Sequence, residues 1–203
     1  MFQKDKLTRK AKKEGYEARS AYKLIEINQK FKIIKPNSRV LDIGCWPGSW
    51  LQVSSKIAKE VVGVDIKQTK INLPNVKTHV LDINSDEVFK LGTFDSIISD
   101  VAPNTSGKIE IDQYKSYELS SRAFEIAKRL LKPNGNFLVK IFQGEESNIL
   151  LNQMKKRFRT VKVTKPKASK KTSKEVYFVG LGFNPSSKPS KHSFDSSSVE
   201  QED

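Results

Sequence analysis

The sequence predicts an α/β fold: a mostly parallel sheet of seven strands, the last of them antiparallel, with helices on both faces. Three observations predict it. Short apolar runs such as Arg39–Ile43, Val61–Val64 and Phe137–Phe142 alternate with stretches of helical periodicity. Parallel strands covered on both faces read as continuous apolar runs of this kind, with helices as crossovers. The last two strand patterns, Thr160–Thr164 and Glu175–Gly182, are separated only by a Lys-rich linker, so they should pair antiparallel.

Each element follows in turn. Ala18–Phe31 sets Ala21, Leu24, Ile25, Ile27 and Phe31 roughly on one helical face. The strand Arg39–Ile43 runs into a Gly/Pro turn and a helix near Ser49–Lys59. Val61–Val64 and Val76–Leu81 are the second and third strands. A helix near Ser85–Leu91 precedes the fourth strand, Phe94–Ser99. Tyr114–Leu131 is a long helix, stopped by Pro133-Asn134-Gly135. Phe137–Phe142 is the fifth strand, and Glu145–Phe158 a further helix. Residues 1–17 read as a basic flexible segment and 18–183 as one domain. Residues 184–203, rich in Ser, Lys and acids without apolar periodicity, read as a disordered tail.

Composition removes several classes. A chain of 203 residues is one ordinary domain. No apolar run approaches the ~20 residues of a bilayer span, so no membrane partner is expected. Met1-Phe2-Gln3-Lys4-Asp5-Lys6 has no apolar stretch of the secretory kind. The single Cys45 excludes an intrachain disulfide. His79 and His192 lie too far apart in sequence to build a Cys/His metal site, so no metal is expected. A reducing compartment, the cytoplasm, and a monomer are the expectations.

The net charge is +14, from 37 basic and 23 acidic residues. It is concentrated: residues 1–39 hold 12 Lys/Arg against 4 acids, and residues 155–174 hold 10 against none. Two such blocks point to a polyanionic partner.

The chemistry-bearing positions sit at strand ends, where doubly wound sheets bind ligands. The turn Asp42-Ile43-Gly44-Cys45-Trp46-Pro47-Gly48-Ser49-Trp50 has two glycines that let backbone approach a ligand closely. Its spacing is neither the dinucleotide nor the triphosphate fingerprint, and alone it is as compatible with a plain strand–helix connection. Asp65 ends the second strand about 20 residues later, where a carboxylate meets ribose hydroxyls. Asp82 ends the third, able to accept from an exocyclic amine. Each acid could instead cap the helix that follows. Together, Asp42, Asp65 and Asp82 suit a nucleoside bearing a sulfonium or amino group, and repel a pyrophosphate. Lys140 lies within a buried strand, and lysine is rarely buried without a partner. It either snorkels from an edge or is held beside Asp100. A lysine whose pKa is lowered to about 7–8 by desolvation and a neighbouring cation can act as a general base. Lys23 and Glu175, taken singly, pass as surface charges.

Five motifs then fall in order: Arg19-Ser20-Ala21-Tyr22-Lys23-Leu24; Asp42-x-Gly44-x-x-Pro47-Gly48-x-Trp50; Ser99-Asp100-x-Ala102-Pro103-Asn104-x-Ser106-Gly107; Val139-Lys140-x-Phe142-Gln143-Gly144; and Ser173-Lys174-Glu175-Val176-Tyr177. With them the chain resembles the FtsJ/RrmJ family of S-adenosylmethionine-dependent RNA ribose 2'-O-methyltransferases, over roughly residues 19–182. The resemblance implies a Rossmann-like methyltransferase sheet and a catalytic tetrad of Lys23, Asp100, Lys140 and Glu175. It implies a donor pocket that includes Gly48, Trp50, Asp65, Asp82 and Asp100, and the turn reading adds Gly44. Cys45 and Trp46 replace the more usual small residues, and Ser49 stands where bacterial members often have Gly. Trp46 is read as packing.

The resemblance implies S-adenosylmethionine as methyl donor, without a metal, and large-subunit ribosomal RNA as substrate. Ser49 is a point for the tRNA-modifying branch. A non-catalytic RNA-binding assembly factor is the alternative of another class. The basic blocks would bracket RNA beside the site, through Lys10, Lys12, Lys13, Arg19, Lys167, Lys170 and Lys171. Tyr16, Tyr22 and Tyr114 are each either base-stacking or core residues.

Overall fold

The computed structural model describes residues 6–169 and 172–186. Its strands are β1 (Arg39–Ile43), β2 (Glu60–Asp65), β3 (Val76–Val80), β4 (Phe94–Ser99), β5 (Leu131–Phe142), β6 (Phe158–Thr164) and β7 (Glu175–Phe183). They form one sheet in the order β3-β2-β1-β4-β5-β7-β6. The pairings from β3 across to β5 are parallel, whereas β7 runs antiparallel to both β5 and β6. β7 is therefore the one antiparallel strand, as the loop-only connection from β6 requires.

The two-residue period of each strand divides the core into two layers. Leu41, Ile43, Val62, Val64, Ile97, Phe137, Val139, Val176 and Phe178 face one way. They meet Ala123, Phe124, Ile126, Ala127 and Leu130 of α4 (Ile109–Leu130), with Leu150 and Met154 of α5 (Glu145–Lys155). Val40, Val61, Ile98, Leu138, Tyr177 and Val179 face the other way. Here they meet Ala21, Leu24 and Ile27 of α2 (Ala21–Phe31) and Trp50, Leu51 and Val53 of α3 (Ser49–Ser55). Side-chain parity thus decides which layer any strand residue enters, including the charged ones.

Several boundaries differ from the sequence reading for local reasons. α4 begins at Ile109 rather than Tyr114. Asp112 accepts the backbone N–H groups of Ser106 and Gly107, at 2.7 and 3.2 Å, which fixes the first turn. The segment Asp86–Leu91 is a 3-10 helix, capped by the Ser85 hydroxyl accepting from the Glu87 N–H. β5 starts at Leu131, and its register on β4 shifts between Phe94 and Ser96, so Pro133-Asn134-Gly135 is an excursion inside the strand.

The largest departure is at the N-terminal end. Residues 1–17 were expected to be flexible, but Lys6–Lys13 forms a helix, α1. Ala11 is buried, and the Gln52 side chain ties the following turn to α3, donating to Gly15 O and accepting from the Glu17 N–H. One small apolar residue and two backbone partners hold a segment whose composition reads as unstructured. The expected tail lies outside the described residues beyond Ser186.

Phe137 is fully buried, within 5.9 Å of the Phe124 ring and stacked at 6.2 Å on Phe158. Phe137→Ala should therefore destabilise the fold by about 3–5 kcal/mol. Urea unfolding should show this as an earlier midpoint.

Candidate active site

Parity and register bring the charged residues together. On β5, Lys140 follows Leu138 on the α2 side, opposite Tyr177 of β7; Glu175 lies two residues before Tyr177, on the same face. Ser99 pairs with Val139, so Asp100, one residue past β4, emerges beside Lys140. Lys23 enters from α2 with Leu24 and Ile27.

The four charges form two ion pairs. Lys140 Nζ donates to the Asp100 backbone carbonyl at 2.6 Å and lies 3.1 Å from Asp100 Oδ1. Lys23 Nζ donates to Glu175 Oε1, which also accepts from the Ser169 hydroxyl at 2.8 Å. Tyr177 joins the pairs: its hydroxyl donates to Asp100 Oδ1 at 2.7 Å, and its ring lies 5.8 Å from Lys23 Nζ. Burial, then Asp100 and Glu175, push the Tyr177 phenol well above its usual range, so it stays a neutral donor. Sequence reasoning passed over Tyr177 as a site residue; its place two residues after Glu175 on a strand is the signal that could have found it.

A cleft of about 620 Å³ adjoins this cluster, beyond the carboxyl ends of the central strands. Gly44, Asp65, Asp82 and Asp100, each named from the sequence, line it. Gly44 has φ +76°, and a Cβ there would sit 2.9 Å from Val101 Cβ. Asp65 holds the turn, accepting from the Trp46 N–H at 2.9 Å and the Lys67 N–H at 2.8 Å. Trp46 is not core: it is 51% exposed, lies under Lys67 Nζ at 4.6 Å and forms part of the cleft wall.

Gly48 and Trp50 are not brought to the cleft wall. Gly48 is a left-handed turn residue, φ +120°, where a Cβ would strike the Ile71 side chain. Trp50 is buried against Tyr177, with its indole N–H on Ser20 O at 2.9 Å. Its contact is with the floor of the charge cluster. Ser49 is likewise buried, its hydroxyl 2.7 Å from that of Ser20.

Asp42 lies directly before this turn, buried, and neither carboxylate oxygen has a hydrogen-bond partner among the described residues. Burial, then the charges of Asp100 and Asp65, raise its carboxyl well above the ordinary range. The acids that line the cleft itself are Asp65, Asp82 and Asp100, and they give it a negative field. That field and the cleft size fit a nucleoside with a cationic centre.

The FtsJ-like methyltransferase family model matches residues 16–183. The chain belongs to that family. It is 47% identical over 185 residues to Ribosomal RNA large subunit methyltransferase E of Methanothrix thermoacetophila, covering 88% of this chain and 72% of the relative. The protein of the same name from Archaeoglobus fulgidus is 43% identical, covering 86% and 93%. A crystal structure from Plasmodium falciparum, provisionally described as a ribosomal RNA methyltransferase, superposes with a TM-score of 0.72 at 32% identity. It covers 83% of this chain and 98% of that one. Among the described residues of this FtsJ-like chain, no His, Cys, Asp or Glu cluster could hold a metal ion. No described helix is long and apolar enough to cross a membrane.

The basic residues named for RNA fall in different places. Lys10, Lys12 and Lys13 lie exposed on α1. Arg19 donates to Ala168 O at 2.9 Å, and the Lys167 N–H is held by both carboxylate oxygens of Glu26. Both therefore border the Ser169–Glu175 contact. Lys170 and Lys171 lie outside the described residues. Tyr114 is exposed, whereas Tyr16 packs against the α2–α3 core and Tyr22 donates to Glu14.

Two stability effects follow. Asp42 has a raised folded pKa, so it costs stability as pH climbs above the unfolded value of ~3.9. Asp42→Asn should raise the melting temperature at pH 7 by about 4 °C, equivalent to ~1–2 kcal/mol, and the gain should shrink toward pH 4. Glu175 is the opposite case. Burial acts to raise its carboxyl, but the Lys23 hydrogen bond and charge outweigh it and hold the group low. Its contribution is present above the unfolded value of ~4.3 and is lost as pH falls through the folded one. Melting of Glu175→Gln between pH 3 and 7 should be less stable at neutral pH, by about 2 kcal/mol, and less steep in acid.

Proposed function

We propose that this chain transfers the methyl group of S-adenosylmethionine to a ribose 2'-hydroxyl of large-subunit ribosomal RNA, as a monomer in the cytoplasm. The observation that carries the reading is Lys140. It is a buried lysine beside a nucleoside-sized acidic cleft, aimed by the carbonyl and carboxylate of a single residue, Asp100. Ribosomal RNA as substrate follows from the relatives, which are named as large-subunit ribosomal RNA methyltransferases.

S-adenosylmethionine, when bound, supplies an electrophilic methyl on a sulfonium. Asp65 and Asp82 would hold its nucleoside part, and the field of Asp100 would favour its positive charge. Gly44 leaves the floor open to close approach. Lys140 in its neutral form takes the proton of the ribose 2'-hydroxyl at Nζ as that oxygen attacks. Asp100 aims Nζ through two contacts, and Tyr177 fixes the Asp100 carboxylate. Lys23 provides a second positive charge across the Tyr177 ring, and Glu175 holds it there. Orientation of the two substrates for in-line attack supplies much of the rate. Phosphate contacts from Lys10, Lys12, Lys13, Arg19 and Lys167 would position the RNA, joined by Lys170 and Lys171.

Ser49 gives the tRNA alternative no support, because its side chain is buried against Ser20. The complete set of Lys23, Asp100, Lys140 and Glu175 in contact argues against a purely binding role.

The test is transfer of labelled methyl from S-adenosylmethionine to large ribosomal subunits, naked ribosomal RNA and bulk tRNA, all lacking 2'-O-methylation. Label is expected on the ribosomal substrate. Lys140→Ala should lower transfer by ~10²–10⁴-fold, the range for a general base, with donor binding by calorimetry unchanged. Label on tRNA alone would overturn the substrate, and near-normal turnover of Lys140→Ala would overturn the role of Lys140.

A further inference from the structure

The basic run 155–174 does not stay together in the fold. β6 carries its halves to opposite ends of the sheet. Lys167 lies at the catalytic end, against Glu26. Lys155, Lys156, Arg157 and Arg159 gather at the other end, around a separate cleft of about 430 Å³. That cleft lies between the turn from α5 to β6, the Pro133–Asn134 excursion of β5 and the end of β7 at Phe183. Asn136, where regular pairing of β5 resumes after the excursion, precedes Lys140 by four positions. At ~3.3 Å per residue this puts the catalytic end ~13 Å beyond it, and the cleft lies on the far side of the excursion.

The lining has four cations and no carboxylate. Helix-end electrostatics explains part of this: the C-terminus of α5 carries about half a negative charge, which a single cation offsets. Arg157 also has a structural task, donating to Pro185 O at 2.8 Å. Lys155 and Arg159 meet no carboxylate among the described residues of the lining. Phe158 and Phe183, the large apolar residues of the lining, are only 5% and 3% exposed. The cleft therefore offers charge without the apolar anchor that a protein partner uses at the centre of an interface.

We propose that this cleft is a second phosphate-docking surface, which grips a segment of the RNA particle other than the one entering the active site. It rests on the RNA reading above. A short strand bound at the active site would not reach it, whereas a large folded RNA presents backbone to both ends of the enzyme. The surface thus favours the assembled particle over fragments.

The test is direct binding of Lys155→Gln/Arg159→Gln, two exposed positions away from the catalytic cluster. Against large ribosomal subunits at ~0.15 M salt, Kd should rise roughly tenfold, and the slope of log K against log salt should flatten by nearly two units. Binding to a short single-stranded RNA should not change, and Lys155→Arg/Arg159→Lys should bind as wild type. The proposal is overturned by an unchanged Kd and slope on the subunits, or by equal loss on both RNAs. Weaker subunit binding with an unchanged slope would also overturn it, since that marks a contact with a ribosomal protein. Methylation of the short RNA by the wild-type protein tests the substrate reading separately, because neither binding result depends on it.

Discussion

Four charges leave bulk water at one end of this sheet, and each does so only because an opposite charge meets it. An ion moved into a protein interior costs several kcal/mol unless it is paired and hydrogen-bonded. Lys140 and Lys23 have side chains only 7% and 11% exposed, with Asp100 and Glu175 against them at 18% and 13%. Remove any one and its partner is left in a poor solvent. Tyr177, with its hydroxyl on Asp100 and its ring beside Lys23, makes the two pairs a connected unit, and Trp50 packs against that ring. The helix α2, the strand ends and the segment through Ser169 are all placed by the need to complete that unit. The neighbouring Asp42 is the contrast: it has no such partner, and burial shifts its protonation instead.

Much of this was legible in the chain before any coordinates. The seven strands, the antiparallel last one and the long helix before β5 follow from apolar runs, their spacing and Gly/Pro punctuation. Local patterns of this kind encode whether a strand is covered on one face or two. Of the site, the four charged residues and the strand-end acids could be named. Their meeting could not be read from any one segment, since Lys23 and Glu175 are 152 positions apart. It follows from parity and register across four elements.

What stayed illegible has physical reasons. The helix α1 depends on Ala11 and on Gln52, a residue of another element, so its composition alone resembles a mobile tail. Trp46 was read as packing and forms the cleft wall, whereas Trp50 lies in the core. Two tryptophans four residues apart in a turn and helix start differ only in which neighbours fold over them. The basic run after α5 looked like one surface in sequence. A strand of seven residues through its middle makes it two.

The place of β7 has a consequence for how the enzyme comes into being. β7 carries Glu175 and Tyr177, and it lies between β5 and β6 rather than at the sheet's edge. Until its residues leave the ribosome that makes them, β5 and β6 have an open slot between them, Lys140 and Lys23 lack half their surroundings, and Trp50 has no ring above it. A nascent chain, or one cut short before residue 175, is therefore not a slower version of the finished molecule. Its Lys140–Asp100 pair has both members, but Lys23 lacks Glu175 and Asp100 lacks the Tyr177 hydroxyl, so the cluster is only half assembled.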